Sequence, residues 1–156
     1  MFREMVRKEY ALSEQDMLRI VNSQNYGILC VHGDDGFPYG VPVNYVYHDG
    51  RFYIHGTAEN SHRLDGIRKD PKVCFTIVDR HELLEETYTT AYSSVIVFGT
   101  ASELQTDEEK QHAMLLFVRT LAPSALEKVR NRCVKESKSY SIVVITPVRM
   151  TGKAGT

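Results

Sequence analysis

PYGVPVNYVYHDGRFYIHGTAENSHRLDGIRKDPKVCF, residues 38 to 75, decides the reading of this chain. The stretch from Tyr39 to Tyr47 is rich in β-forming residues, turns at His48-Asp49-Gly50 and resumes from Arg51 to His55. Asp-Gly between two such runs is a strong short-range hairpin signal. A polar turn follows, in which Asn60 or Ser61 can cap a short helix carrying Leu64 and Ile67. The Asp70-Pro71 step stops that helix before a further strand, Val73 to Val78.

The same alternation extends outward. Upstream, Ser13 caps a helix from about residue 13 to 23, with Asp16 at the capping-box position and Met17, Leu18, Ile20 and Val21 at helical spacing. A strand from Tyr26 to His32 then meets the turn Asp34-Asp35-Gly36. Downstream, Tyr92 to Leu104 reads as a long strand, and Thr106-Asp107-Glu108-Glu109 opens an amphipathic helix with Ala113, Leu116 and Phe117 on one side. Ala122-Pro123-Ser124 separates it from a helix reaching about Val134, and a last strand, Tyr140 to Thr146, precedes a polar tail. Asp79 to Ala91 is acidic and stays unassigned. About six short strands with antiparallel turns and intermittent helices predict a closed or partly closed barrel, a β-dominated α+β fold. With 156 residues and no repeat or low-complexity stretch, residues 1 to 156 read as a single domain.

Lys plus Arg total 19 against 20 for Asp plus Glu. No global positive field exists to recruit nucleic acid or anionic lipid, which leaves a small ligand as the expected partner. The first residues lack the apolar run of a secretory signal, and no segment approaches the length of a membrane span, so the expected location is the cytoplasm. Cys30, Cys74 and Cys133 are far apart and form no CxxC pair, which points to small buried hydrophobes rather than a disulfide framework or zinc site. His32, His48, His55, His62, His81 and His112 make no HxH, HxxxH or HExxH arrangement, so no metal is expected. No GxSxG elbow supports hydrolase chemistry. The nine tyrosines are mostly strand-forming residues, and basic residues do not cluster among them as on a nucleic-acid stacking surface.

Two places can carry chemistry. At Asn60-Ser61-His62-Arg63 a helix begins with free backbone N–H groups, a hydroxyl and a guanidinium, the donors that a phosphate needs. The plainer reading is that Ser61 only caps the helix and Arg63 is only solvated. The second place is Gly40-Val41-Pro42-Val43-Asn44-Tyr45, where Gly and Pro interrupt a strand. Such residues mark an edge, a bulge or a site where a ligand approaches backbone, and a flat ring can lie there.

Taken together, residues 38 to 75, AYSSVIVFGTASEL at residues 91 to 104 and MTGK at residues 150 to 153 resemble the flavin-binding core of the pyridoxamine 5'-phosphate oxidase-like split barrels. Within that superfamily the chain looks closest to the nitroimidazole-resistance group. The resemblance implies an antiparallel split β-barrel with flanking helices that binds FMN, or FAD, as a homodimer with the cofactor at the subunit interface. Carried over by position, Val41, Pro42, Val43 and Asn44 border the flavin ring, Asn60, Ser61, His62 and Arg63 surround its phosphate, the Tyr92-Ser93-Ser94-Val95 strand approaches from the partner, and Lys153 also binds the cofactor. His55 is the candidate catalytic residue beside the ring. His62 departs from the basic pair common in relatives. Absence of Trp departs from the pyridoxamine phosphate oxidases' C-terminal substrate segment and argues against vitamin B6 oxidation. The implied function is an oxidoreductase that reduces a small electron acceptor such as a nitroaromatic compound; the alternative is a flavin- or haem-binding split barrel without turnover.

Overall fold

The computed structural model describes residues 2–156, with only the backbone of Val134. Helix α1 (Glu14–Ser23) leads into β1 (Tyr26–His32), β2 (Pro38–Asn44), β3 (Val46–His48) and β4 (Arg51–Thr57). Helix α2 (His62–Lys69) precedes the long strands β5 (Lys72–Leu84) and β6 (Thr89–Glu103). Helices α3 (Asp107–Leu121) and α4 (Leu126–Lys135) precede β7 (Tyr140–Gly155). Every ladder is antiparallel, in the order β2-β1-β5-β6-β7-β4-β3. The two ends of this sheet curl together until β2 meets β4, which gives a split barrel in a β-dominated α+β fold.

Period-two alternation builds the core. Leu29, Phe75, Val95, Val97 and Ile145 point inward with no exposure and pack with Ile20 and Val21 of α1 and Leu64 and Ile67 of α2. A second cluster forms where Ala113 and Phe117 of α3 cover Val46, Ile142 and Val144. The outward residues between, Ile96 and Phe98 on β6, stay 36% and 37% exposed, so an apolar strip of sheet is left open. No helix among the described residues is long and apolar enough to cross a membrane.

Three sequence expectations change. The run Tyr39 to Tyr47 is two strands, because Tyr45 leaves the ladder between β2 and β3 and buries its ring against Phe52 and Phe75. The barrel therefore has seven strands. Residues 79 to 91, unassigned from sequence, extend the β5–β6 hairpin. This hairpin projects with both faces wet, so no hydrophobic alternation announces it; at its root a bulge turns Asp79 to accept hydrogen bonds from Gln24 (2.9 Å) and Ser93 (2.6 Å). The polar tail after Thr146 also pairs with β6, which carries β7 to Gly155 and places Lys153 opposite Ser94. Of the two possible caps on α2, Ser61 accepts from the Leu64 N–H, while Asn60 takes a left-handed turn at φ 49°.

The Tyr45 hydroxyl donates to the Val21 carbonyl in the last turn of α1 (2.8 Å), where no later residue of the helix can serve that oxygen. Replacing Tyr45 by Phe should lower stability by about 1 kcal/mol, read as a drop in the urea midpoint at unchanged slope. An unchanged midpoint would remove this bond from the forces that fix α1 on the barrel.

Candidate functional site

Arg63 lies at the split of the barrel. From the first turn of α2, its guanidinium reaches across to β4 and rests on Gly56, where any Cβ would collide with it. The Arg63 Nε is buried and has no hydrogen-bond partner among the described residues. Burial pulls the guanidinium pKa below its ordinary value, and the Tyr39 phenol on β2 acts in the opposite direction. Arg63 remains a cation at any physiological pH. Buried polar groups are ordinarily hydrogen-bonded, and the strongest partner for a guanidinium donor is an anionic oxygen.

Its neighbours frame the same spot. The Ser61 hydroxyl oxygen accepts from the Leu64 N–H at 3.4 Å and keeps its own proton to donate. The His62 and Arg63 N–H groups precede the first backbone hydrogen bond of α2, from Asp65 to Ser61, and so stay unpaired within the helix. The His62 ring stacks on Tyr39 with centroids 4.2 Å apart, and an Asp34 carboxylate oxygen lies 3.5 Å from Nε2 without making a hydrogen bond. Tyr39 and Gly56 join the site only in the structure. A glycine inside a strand was a legible sign of close approach at Gly56, whereas nothing local distinguishes Tyr39 from the other strand tyrosines.

Val41, Pro42, Val43 and Asn44 lie on β2, one of the two edges of the sheet. The Pro42 ring therefore costs no ladder bond on its free side, and the backbone polar groups of that edge have no strand to pair with. Pro42 and Asn44 are exposed, while Val43 turns into the core. Ser94 and Lys153 form a separate group. They are register partners on the outer face of β6 and β7, and the Lys153 ammonium lies over the Tyr10 and Tyr92 rings at 5.8 and 5.3 Å. With Phe2, Ile96 and Arg149 they line a cavity of about 300 Å³ that contains neither Arg63 nor any residue of β2. Val95 is paired on both sides and has no exposed surface, so of these three residues only Ser94 and Lys153 show side chains on the outer face.

His55, near the end of β4, meets the Phe117 ring edge-on at 4.9 Å. Burial of part of the imidazole, and then the nearby Arg63 charge, lower its pKa from the ordinary 6.5, so the ring is neutral at pH 7. Among the described residues no group of three or more His, Cys, Asp or Glu side chains is arranged to hold a metal ion.

The family described as pyridoxamine 5'-phosphate oxidase matches residues 13–154, and the chain belongs to that family. No curated protein matches it. Among solved structures it superposes on the flavocytochrome Anf3 from Azotobacter vinelandii with a TM-score of 0.84 at 16% identity, over 99% of this chain and 73% of that one. A candidate 5-nitroimidazole antibiotic resistance protein from Bacteroides thetaiotaomicron gives 0.74 at 20% identity, over 92% and 85%. A FAD-binding protein from Mesorhizobium loti gives 0.67 at 20%, over 94% and 97%. At these identities the likeness is one of fold.

The lowered His55 pKa fixes the sign of a pH effect. Protonation is disfavoured in the folded chain, so the contribution of neutral His55 is complete above the unfolded value near 6.5 and is lost as pH falls through the lower folded value. Thermal unfolding of the wild type should therefore fall more steeply than that of His55→Gln between about pH 7 and pH 5. Parallel curves for the two proteins would show that His55 titrates freely.

Proposed function

We propose that this member of the family binds a flavin phosphate, FMN in the first instance, and acts as an oxidoreductase toward a small acceptor such as a nitroaromatic compound. The observation that carries the reading is the buried, unpartnered Arg63 Nε, held over bare backbone at Gly56. Arg63, the Ser61 hydroxyl and the first N–H groups of α2 form a donor set that fits a phosphate; His62, stacked on Tyr39, contributes its backbone and shapes the β1–β2 loop. Val41, Pro42 and Asn44 then offer the free edge of β2 to the polar rim of the ring. The descriptions of the relatives as a flavocytochrome and a FAD-binding protein support a flavin as the ligand.

When bound, the flavin supplies two-electron chemistry between a reduced nicotinamide nucleotide and the acceptor; the chain's own part is anchoring and orientation. Neutral His55, beside the Arg63 charge, is suited to donate or accept one hydrogen bond to an acceptor at the ring. The second half of the site comes from another copy of the chain. Ser94 and Lys153 do not share a cavity with Arg63 in one subunit, and they border the open apolar strip of Ile96 and Phe98. A homodimer that covers this strip brings Ser94 and Lys153 to the partner's ring and removes the exposed apolar surface from water.

An absorption spectrum of the purified protein should show flavin bands; a Soret band, or a colourless protein that takes up neither FMN nor FAD, would overturn the cofactor assignment. Arg63→Ala should remove a charge-assisted contact of about 1.5 to 3 kcal/mol and weaken FMN binding roughly tenfold to a hundredfold, with riboflavin unaffected. Gly56→Ala, which displaces the same guanidinium, should move FMN affinity in the same direction. His55→Ala should keep FMN while altering nitroaromatic turnover. In light scattering the wild type should run as a dimer and Ile96→Asp with Phe98→Asp as a monomer; a flavin-loaded monomeric wild type would contradict the shared site.

A further inference from the structure

Cys30 and Cys74 stand directly opposite each other on β1 and β5. Both thiols are free and half-buried, and both belong to the outward-facing set of their strands. Opposed residues of an antiparallel pair have Cα atoms about 4.5 or 5.5 Å apart, depending on the hydrogen-bond class, and a disulfide accepts about 4.4 to 6.8 Å. The Cα spacing of either class lies within that range, while opposed Cβ atoms stand about 4.5 to 5.5 Å apart against about 3.5 to 4.5 Å in a disulfide, so closing the bond draws β1 and β5 slightly together at this point. On the β2 side no side chain intrudes: Gly40 flanks Cys30, and even an added Cβ there would stand 3.6 Å from the Cys30 sulfur. The two cysteines share a cavity of about 360 Å³ with His32, Pro38, Lys72 and Phe98. Cys74 pairs with Phe98 and Val78 with Ser94, so this cavity adjoins the Phe98 end of the apolar strip, four positions along β6 from Ser94. Cys133, 3% exposed in another part of the fold, has no such access.

We propose that Cys30 and Cys74 are a dithiol redox site that closes into a disulfide by exchange with a small soluble disulfide such as glutathione disulfide. One cysteine gives up its proton and attacks a sulfur of the small disulfide. That S–S bond breaks, a mixed disulfide forms, and one small thiolate leaves and takes up a proton. The second cysteine, deprotonated in turn, attacks the protein-side sulfur and expels the other small thiol. The pair loses two electrons and two protons, and the small disulfide gains them as two thiols. Burial raises the Cys74 pKa, with the neighbouring Cys30 adding to the rise, which makes closure faster as pH increases. The bond staples β1 to β5, and β1 is the strand on which β2 is laid with Val41 to Asn44. The pair therefore lies one strand from the ring edge assigned above, although its chemistry does not depend on that assignment.

The test uses the assembled protein, saturated with FMN and, in a second arm, without added flavin. It is incubated with glutathione disulfide, its remaining thiols are alkylated after unfolding, and its peptides are mapped by mass spectrometry. The expected result in both arms is a Cys30–Cys74 cross-linked peptide, alkylation of Cys133 alone, faster closure at alkaline than at neutral pH, and return of all three thiols on reduction. Cys30→Ser and Cys74→Ser should each stop at the mixed disulfide on the surviving partner. Full alkylation of all three cysteines in the wild type, cross-links only between subunits, or glutathione held separately on both cysteines would overturn the proposal. Failure of FMN binding with intact closure would instead count against the flavin reading alone.

Discussion

Tyr45 is the point on which the barrel turns. Its backbone leaves the ladder, its N–H bonds to the Asn25 carbonyl at 3.0 Å, and its buried ring meets Phe52 and Phe75. That packing ends β2 and starts β3 in a new direction, so β2 stays with β1 while β3 follows β4. The sheet is thereby split at one seam. Everything placed at that seam by α2, above all Arg63 against Gly56 and Tyr39, exists because the two edges approach without pairing.

The seam also explains why a cation sits half-buried without an acid to meet it. Several charged groups on this surface are paired: Arg68 binds Glu103 at 2.8 Å and Arg7 binds Glu9 at 2.6 Å. Such exposed pairs contribute little to stability, typically under about 1 kcal/mol. Arg63 is the contrasting case, desolvated and oriented by packing while its Nε remains unserved. A site arranged in this way costs the free protein some stability and gives an anionic ligand its orientation.

A barrel has one interior, and seven amphipathic strands have more apolar surface than that interior hides. Helix α3 covers part of the outside through Ala113 and Phe117, which also sets His55 against a ring edge. Over β6 the strip of Ile96 and Phe98 is met by Phe2, its ring 5.2 Å from Phe98, and stays partly exposed. Uncovered apolar sheet beside Ser94 and Lys153 is the observation behind the proposed second subunit, since such a strip is more often an interface than plain surface.

The sequence by itself determined the elements whose signals are local. Ser13, Thr106 and the Asp-Gly turns set helix starts and hairpins, because caps and tight turns depend on a few neighbouring residues, and the ordered motifs from Val41 to Lys153 identified the family. Phosphate-type donors at Ser61 and Arg63 were legible for the same reason. The tertiary structure was needed to show that Tyr45 divides a strand, that residues 79 to 91 extend the β5–β6 hairpin and the chain after Thr146 pairs with β6, that Tyr39 holds His62, that Val95 is committed to the core, and that Cys30 faces Cys74. Each of these depends on register between strands distant in sequence, where a shift of one residue would exchange inside for outside, and composition carries no record of that register.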